Sequence, residues 1–284
     1  MKEFLRALTR GSGWLGLAGL LLITMLLALA AIGPLLDLPD PTRTNLRARM
    51  VAPTISWAGL GAFPLGTDQL GRDILSRIVA GSRVTLAVAG AAVVLGGIVG
   101  TLLGLIAGYF GGWTDRVLMR LADIQLAVPL MLLALMVIAA MGPSLQNLVM
   151  VLALVSWVRY ARIVRGQVLA VREREFVQSA RAIGASARRI ILRHILPNVL
   201  TPAIVVATLE LARVIVLEAG LSFLGLGVQP PNPSWGRMLA EGRTYISSAW
   251  WIITFPGLAL MLTVLSVNLL GDWLRDYLDP RLKV

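Results

Sequence analysis

Uncharged apolar runs of twenty residues and more are what most constrain this chain. Leu15 to Leu36, Val84 to Trp113 and Ile124 to Val158 carry no charged side chain at all. About 20 consecutive apolar residues suffice to cross roughly 30 Å of hydrocarbon as a helix. A soluble domain holds about 25% charged residues, whereas here only 14% of 284 residues are charged and 57% are hydrophobic. The composition reads as an all-α, multi-pass membrane protein.

The formal net charge is +11. The arginines flank apolar blocks, where they act as topology signals. No zinc-finger spacing or RNA-type aromatic motif accompanies them, so nucleic acid is not an expected partner. Cysteine is absent and His194 is the single histidine, which leaves no expected metal site and excludes a thiol nucleophile. Lysine occurs only at Lys2 and Lys283. A P-loop needs a lysine inside its glycine-rich turn, so the chain cannot hydrolyse ATP by that route.

Six spans are expected. The first is Leu15 to Leu36, too long for a signal-peptide core and without an obvious cleavage site after it. The second is Val84 to Trp113, where Gly96, Gly100, Gly104 and Gly108 repeat every four residues and predict a smooth stripe for close helix contact. Ile124 to Val158 is too long for one crossing, and Gly142-Pro143 splits it into a hairpin of two spans. Val199 to Leu221 and Ile246 to Gly271 complete the set, and Asp272 to Val284 reads as a polar tail. An even number of crossings puts both termini on one side. Placing them in the cytoplasm leaves seventeen basic residues inside and eight outside, the bias the positive-inside rule favours. The corresponding organisation is residues 1–83 as a first helix plus an outer loop, 84–272 as the membrane-spanning core, and 273–284 as a cytoplasmic tail. Within the outer loop, Leu70, Ile74 and Ile78 recur every fourth residue and predict an amphipathic helix over 68–80, lying on the membrane face and capped by Thr67 or Asp68.

Between the fourth and fifth spans, Arg159 to Pro197 carries nine arginines. Phe176, Ala180 and Ile183 predict one apolar edge, and Ile190, Ile191 and Ile195 a second. Gly184 suits a left-handed helix terminus, Ser186 can cap a second helix, and Pro197 marks the return into the membrane. A solvated loop that merely sets topology has no use for paired apolar edges, a glycine break and a cap. The segment Arg172 to Pro197 therefore reads as a two-helix knob that docks a soluble partner.

That stretch resembles the EAA loop of type I ABC import permeases: Glu-Ala-Ala, three residues, Gly, nine residues, Ile, one residue, Leu-Pro. The matching positions are Gln178, Ser179, Ala180, Gly184, His194, Leu196 and Pro197, with Gln178, Ser179 and His194 departing from the pattern. Pro64 to Asp73, Gly108 to Trp113, Glu218 to Pro231, Pro233 to Gly236 and Asp279 to Arg281 resemble, in the same order, the C-type permeases of dipeptide and oligopeptide importers. The resemblance runs from Pro64 onward. It implies a bacterial cytoplasmic (inner) membrane subunit that pairs with a second homologous permease, docks two ABC ATPase subunits and receives peptide from an extracytoplasmic binding protein. ATP and Mg would then sit on the ATPases, with no cofactor bound by this chain and no catalysis by it. Nickel or glutathione importers share these motifs. A proton-coupled secondary transporter is the alternative from another class, although a cytoplasmic docking knob is foreign to it.

The fifth span holds Glu210, Arg213 and Glu218. A charged residue costs about 2.5–3.5 kcal/mol at a helix centre on the insertion scale, so such groups face a pathway or another helix. Glu210 and Arg213, three apart, can neutralise each other. Glu218 lies about 140° round the helix from Arg213 and needs another partner. These groups either line the substrate route or form structural contacts, including one with the sister permease; both readings are open at this stage.

Overall fold

The computed structural model describes residues 13–56, 59–60 and 63–278. The basic start (Lys2, Arg6, Arg10) and the Asp279 to Arg281 motif lie outside them. The described chain is helical apart from a hairpin of two-residue strands, β1 (Ile55–Ser56) and β2 (Gly59–Leu60). Its helices are α1 (Gly13–Ile32), α2 (Ile74–Phe110), α3 (Gly112–Ala127), α4 (Leu130–Met141), α5 (Leu145–Val171), α6 (Glu175–Ala182), α7 (Ala187–Ile190), α8 (Leu196–Phe223), α9 (Trp235–Gly242) and α10 (Trp251–Leu278). Among the described residues, five helical stretches are long and apolar enough to span a membrane, and six if the bent pair α3–α4 counts as one crossing.

The glycine stripe organises the centre. Along α2, a Cβ on Gly96 would lie 2.9 Å from the Ala153 carbonyl oxygen, one on Gly100 2.3 Å from that of Trp157, and one on Gly104 2.6 Å from that of Ala161. At Gly108 it would lie 2.7 Å from the Val168 side chain. Helices α2 and α5 thus approach almost backbone to backbone over about three turns, a contact that any larger residue would prevent. Around this pair, α8 and α4 contribute Val214, Ile215, Leu221 and Ile138 to a core shared with Leu148, Val151 and Leu152 of α5. Helix α1 lies against α10, where Gly16 sits under Trp273 and Gly19 against Leu269.

Four boundaries differ from the sequence expectations. No separate interfacial helix occupies 68–80: Asp73 caps α2 by accepting from the Ser76 N–H at 2.8 Å, and the helix runs unbroken to Phe110. Helix α2 therefore crosses the expected 83/84 division. Thr67 and Asp68 do not cap it but are buried in the preceding turn. The expected third span is bent by 92° between α3 and α4. Pro129 lacks an N–H and holds Val128 extended (φ −90°, ψ 128°), which ends α3. Gly142 (φ 83°) ends α4 and Ser144 caps α5, accepting from Asn147 at 3.1 Å, so the hairpin break falls where the sequence put it. Finally, α10 starts at Trp251 rather than Ile246 and continues to Leu278, so residues 272–278 extend the helix and are not a free polar tail.

Candidate functional site: a two-helix knob and a buried charge cluster

The arginine-rich segment divides in two. Its first part is not a loop: α5 runs to Val171, so Arg159, Arg162 and Arg165 lie on a helix. Arg162 pairs with Asp123, and Arg165 with Asp115 through Nη2 to Oδ2 at 2.6 Å, which ties α5 to α3. Arg172 donates to the Gly108 carbonyl at 2.8 Å and anchors the start of the knob to the end of α2.

The knob proper is α6, a glycine turn and α7. Gly184 has φ 77°, and the Ala185 N–H reaches the Ala180 carbonyl at 3.1 Å, closing α6 in a Schellman arrangement that favours glycine. Ser186 caps α7 by accepting from the Arg189 N–H at 3.4 Å. Pro197 stands where the chain returns to the membrane-spanning part, at the start of α8. Residues Ile191–Ile195 form a π-turn, and the proline falls in the first turn of α8, where its missing N–H leaves no bond unmade. The knob thus continues directly into a membrane-length helix.

Its inner face is only partly the one the sequence suggested: Ile190 and Ile195 of the second edge are buried as expected, while the first edge is rotated. Val177 and Ala180, three apart, are buried with Ile190 and Ile195 against Leu105 of α2 and Val164, Val168 and Val171 of α5. Phe176 is 41% exposed and Ile183 is 86% exposed. Of the expected edge only Ala180 is packed inside, because the buried stripe is rotated one residue onward to Val177. Gln178, Ser179 and Gly184 are exposed beside Ile183, Pro197 is exposed, and Leu196 is half-buried. The Gln178 amide donates to the Glu173 carbonyl at 3.1 Å, within the knob. The partly buried His194 ring stands 6.4 Å from that of Phe176. An ordered surface carrying a bare isoleucine and a half-exposed phenylalanine is suited to burial by another protein.

The second cluster lies deeper. Glu210 is fully buried and Arg213 reaches it at 3.3 Å, as the three-residue spacing predicts. A second guanidinium, absent from the sequence reading, comes from α5: Arg159 Nη1 lies 3.1 Å from Glu210 Oε1. The available signal was that Arg159 continues the uninterrupted apolar run of α5, so it belonged to a span and not to a loop. Glu218 is separate. It is wholly buried and accepts from Ser222, one turn on, at 2.7 Å, while Ser222 accepts from the Val228 N–H at 3.1 Å. The structure brings Glu210 and Arg213 together and seals Glu218 away from them.

At the end of the molecule opposite the knob, Asp68 accepts from Arg72 Nε at 2.6 Å and from Arg77. Glu241 of α9 takes Arg72 at 2.8 Å, Arg77 at 2.9 Å and Arg237 at 2.9 Å. Burial alone would raise the Glu241 carboxyl, but Arg77, Arg72 and Arg237 outweigh it and hold the group below the ordinary glutamate value.

Residues 100–284 match the family model of the binding-protein-dependent transport system inner membrane component. The chain is 46% identical, over 95% of its length and 86% of the relative's, to the dipeptide transport system permease protein DppC of Alkalihalophilus pseudofirmus. It is 43% identical, over 100% and 93%, to the di/tripeptide transport system permease protein DppC of Pseudomonas aeruginosa. It is 48% identical, over 77% and 73%, to the glutathione transport system permease protein GsiD of Pectobacterium atrosepticum. In fold it is similar to a chain of the inward-facing MetNI methionine ABC transporter, with TM-score 0.58 and 20% identity over 70% of this chain and 94% of that one. Matched along nearly its whole length, the chain belongs to the binding-protein-dependent transport system inner membrane components, as a multi-pass permease subunit of an ABC importer.

Proposed function

We propose that this permease subunit carries di- and oligopeptides across the bacterial cytoplasmic membrane, with both termini in the cytoplasm and a second homologous permease completing the pathway. The peptide-transport names of relatives 46% and 43% identical over nearly the whole chain support the substrate class. Glutathione, itself a short peptide, falls in the same class, and the 48% identical relative favours keeping it as a second reading. An extracytoplasmic binding protein delivers the substrate, and two ATPase subunits hold the ATP and Mg that drive the cycle.

Coupling resides in the knob. Ile183 and the exposed Gln178, Ser179 and Gly184 form the face that an ATPase groove covers, while Val177, Ala180, Ile190 and Ile195 bind that face rigidly to α5 and α8. The observation that carries this reading is Ile183, 86% exposed on an ordered turn. Burying it on docking contributes about 1.5–3 kcal/mol. Glu210, Arg213 and Arg159 face the substrate route, whereas Glu218 holds the turn after α8.

The test is assembly of the importer with Ile183→Asp. The expected result is loss of ATPase co-purification with retention of the sister permease. Undiminished ATPase binding would show that the docking surface lies elsewhere. Uptake by the reconstituted complex should require ATP; uptake driven by a proton gradient alone would overturn the importer mechanism.

A further inference from the structure

The Arg159–Glu210–Arg213 cluster has more charge than it can neutralise. Two guanidinium groups share one carboxylate, at 3.1 and 3.3 Å, leaving a net single positive charge. By contrast, Arg162 and Arg165 on the same helix each meet a carboxylate of α3. Glu210 is enclosed, but the Arg159 side chain is 54% exposed and that of Arg213 29%. The surplus charge is therefore presented outward, on the surface of this chain.

Its depth makes that exposure significant. Arg159 lies in the middle third of α5, and Glu210 and Arg213 lie in the middle third of α8. At 1.5 Å per residue, Arg159 and Glu210 are each about 20 Å from either end of their helices. A bare guanidinium at that depth does not face lipid; it faces water, a ligand or a protein acid. Beside it lies a shallow groove, open to the surface, between α8 and α10, of about 340 Å³, whose polar lining is Arg213 and Asn268. An adjoining open depression of about 360 Å³ shares Val216, Val264 and Asn268 and is otherwise apolar. The groove therefore offers one cationic end, one neutral amide and an apolar length.

We infer that Arg159 and Arg213 form a mid-membrane acceptor for the terminal carboxylate of the peptide in transit, with Glu210 positioning both guanidiniums. A guanidinium presents planar paired donors that fit a carboxylate. Because Glu210 already occupies part of each fork, the site holds the carboxylate without trapping it, as a waystation requires. Asn268 stands where it can hydrogen-bond the peptide backbone, and the apolar stretch tolerates varied side chains. This inference rests on the peptide-permease reading.

The test uses the complete importer in proteoliposomes with its binding protein. Uptake of a radiolabelled dipeptide is compared with that of its C-terminal amide, for an amide the parent complex transports measurably. For Arg159→Gln with Arg213→Gln, the acid-to-amide uptake ratio is expected to fall about tenfold or more, the loss of a charge-assisted hydrogen-bond pair. The double Lys substitution, which keeps the charge, is expected to recover most of that ratio. Equal slowing of acid and amide would overturn the carboxylate role and leave the pathway reading intact. Unchanged uptake of both would overturn both. Loss of the sister permease on purification would assign the arginines to an acidic residue of that subunit, and a Lys pair no better than the Gln pair would also overturn the proposal.

Discussion

Glu241 joins three arginines from two segments far apart in sequence, and its carboxyl is held below the ordinary value of 4.5 by Arg77, Arg72 and Arg237 against the opposing effect of burial. A carboxyl depressed in the folded state stabilises the fold fully above the unfolded value and loses that contribution as pH falls through the folded value. Thermal stability in detergent is therefore expected to decline on acidification from about pH 4.5 downward. Glu241→Gln should lower stability at neutral pH and flatten that acid limb; an unchanged limb would remove Glu241 as its source. Gly184 makes a different residue-scale demand. A Cβ there would meet nothing within 4 Å, so the requirement is its φ of 77° and not space. Gly184→Ala should cost about 1–2 kcal/mol locally, leave the membrane core folded and weaken ATPase docking, as read by co-purification. Gly184 and Ser186 were legible from sequence because turn and cap chemistry is local. Asp68 was not: its role depends on Arg77 and on its neighbours in the folded turn, so an acidic residue ahead of an amphipathic pattern read as a cap.

At the scale of elements, the glycine stripe on α2 was visible as a four-residue repeat, and its partner α5 was not. The repeat predicts close approach without naming what approaches. Gly100→Ala would bring a Cβ to 2.3 Å from the Trp157 carbonyl oxygen, a backbone atom that cannot rotate aside. A loss of about 1–3 kcal/mol is expected. Gly166→Ala, also in a helix but with nothing within 4 Å, should stabilise by about 0.5–1 kcal/mol. Thermal unfolding midpoints of the two variants in one detergent check the contrast, and equal effects would refute the packing argument. The α6 edge shows the complementary error. Over eight residues, a helix supports several apolar stripes, and the one that is buried depends on where α5 lies. Val177 was therefore passed over and Ile183 placed inside, whereas Ile183 is exposed.

Across the whole molecule, the knob and the Glu210 charge cluster sit on the same two helices. Helix α5 carries Arg159 and, further along, the Val164–Val168–Val171 seat of the knob. Helix α8 emerges from the knob through the π-turn and carries Glu210 and Arg213. The knob is thus connected to both sides of the cluster through packed helices. Arg172, which joins the knob to α2 through the Gly108 carbonyl, is one link in that connection. Arg172→Ala is expected to lower peptide uptake per ATP hydrolysed severalfold while the ATPases remain bound; an unchanged ratio would show that α5 and α8 suffice.

The sequence by itself determined the helical, membrane-spanning class, the glycine stripe, the knob with its break and cap, and the family. Each depends on composition, on local backbone preference or on spacing along one element, and these survive without knowledge of neighbours. Only the tertiary structure decided that Arg159 belongs with Glu210, that Glu218 is sealed away, that Asp68 anchors a charge network and that Ile183 faces outward. Those outcomes depend on which helices lie side by side, and a side chain's partner across that contact is set by packing, which no spacing within a single element records.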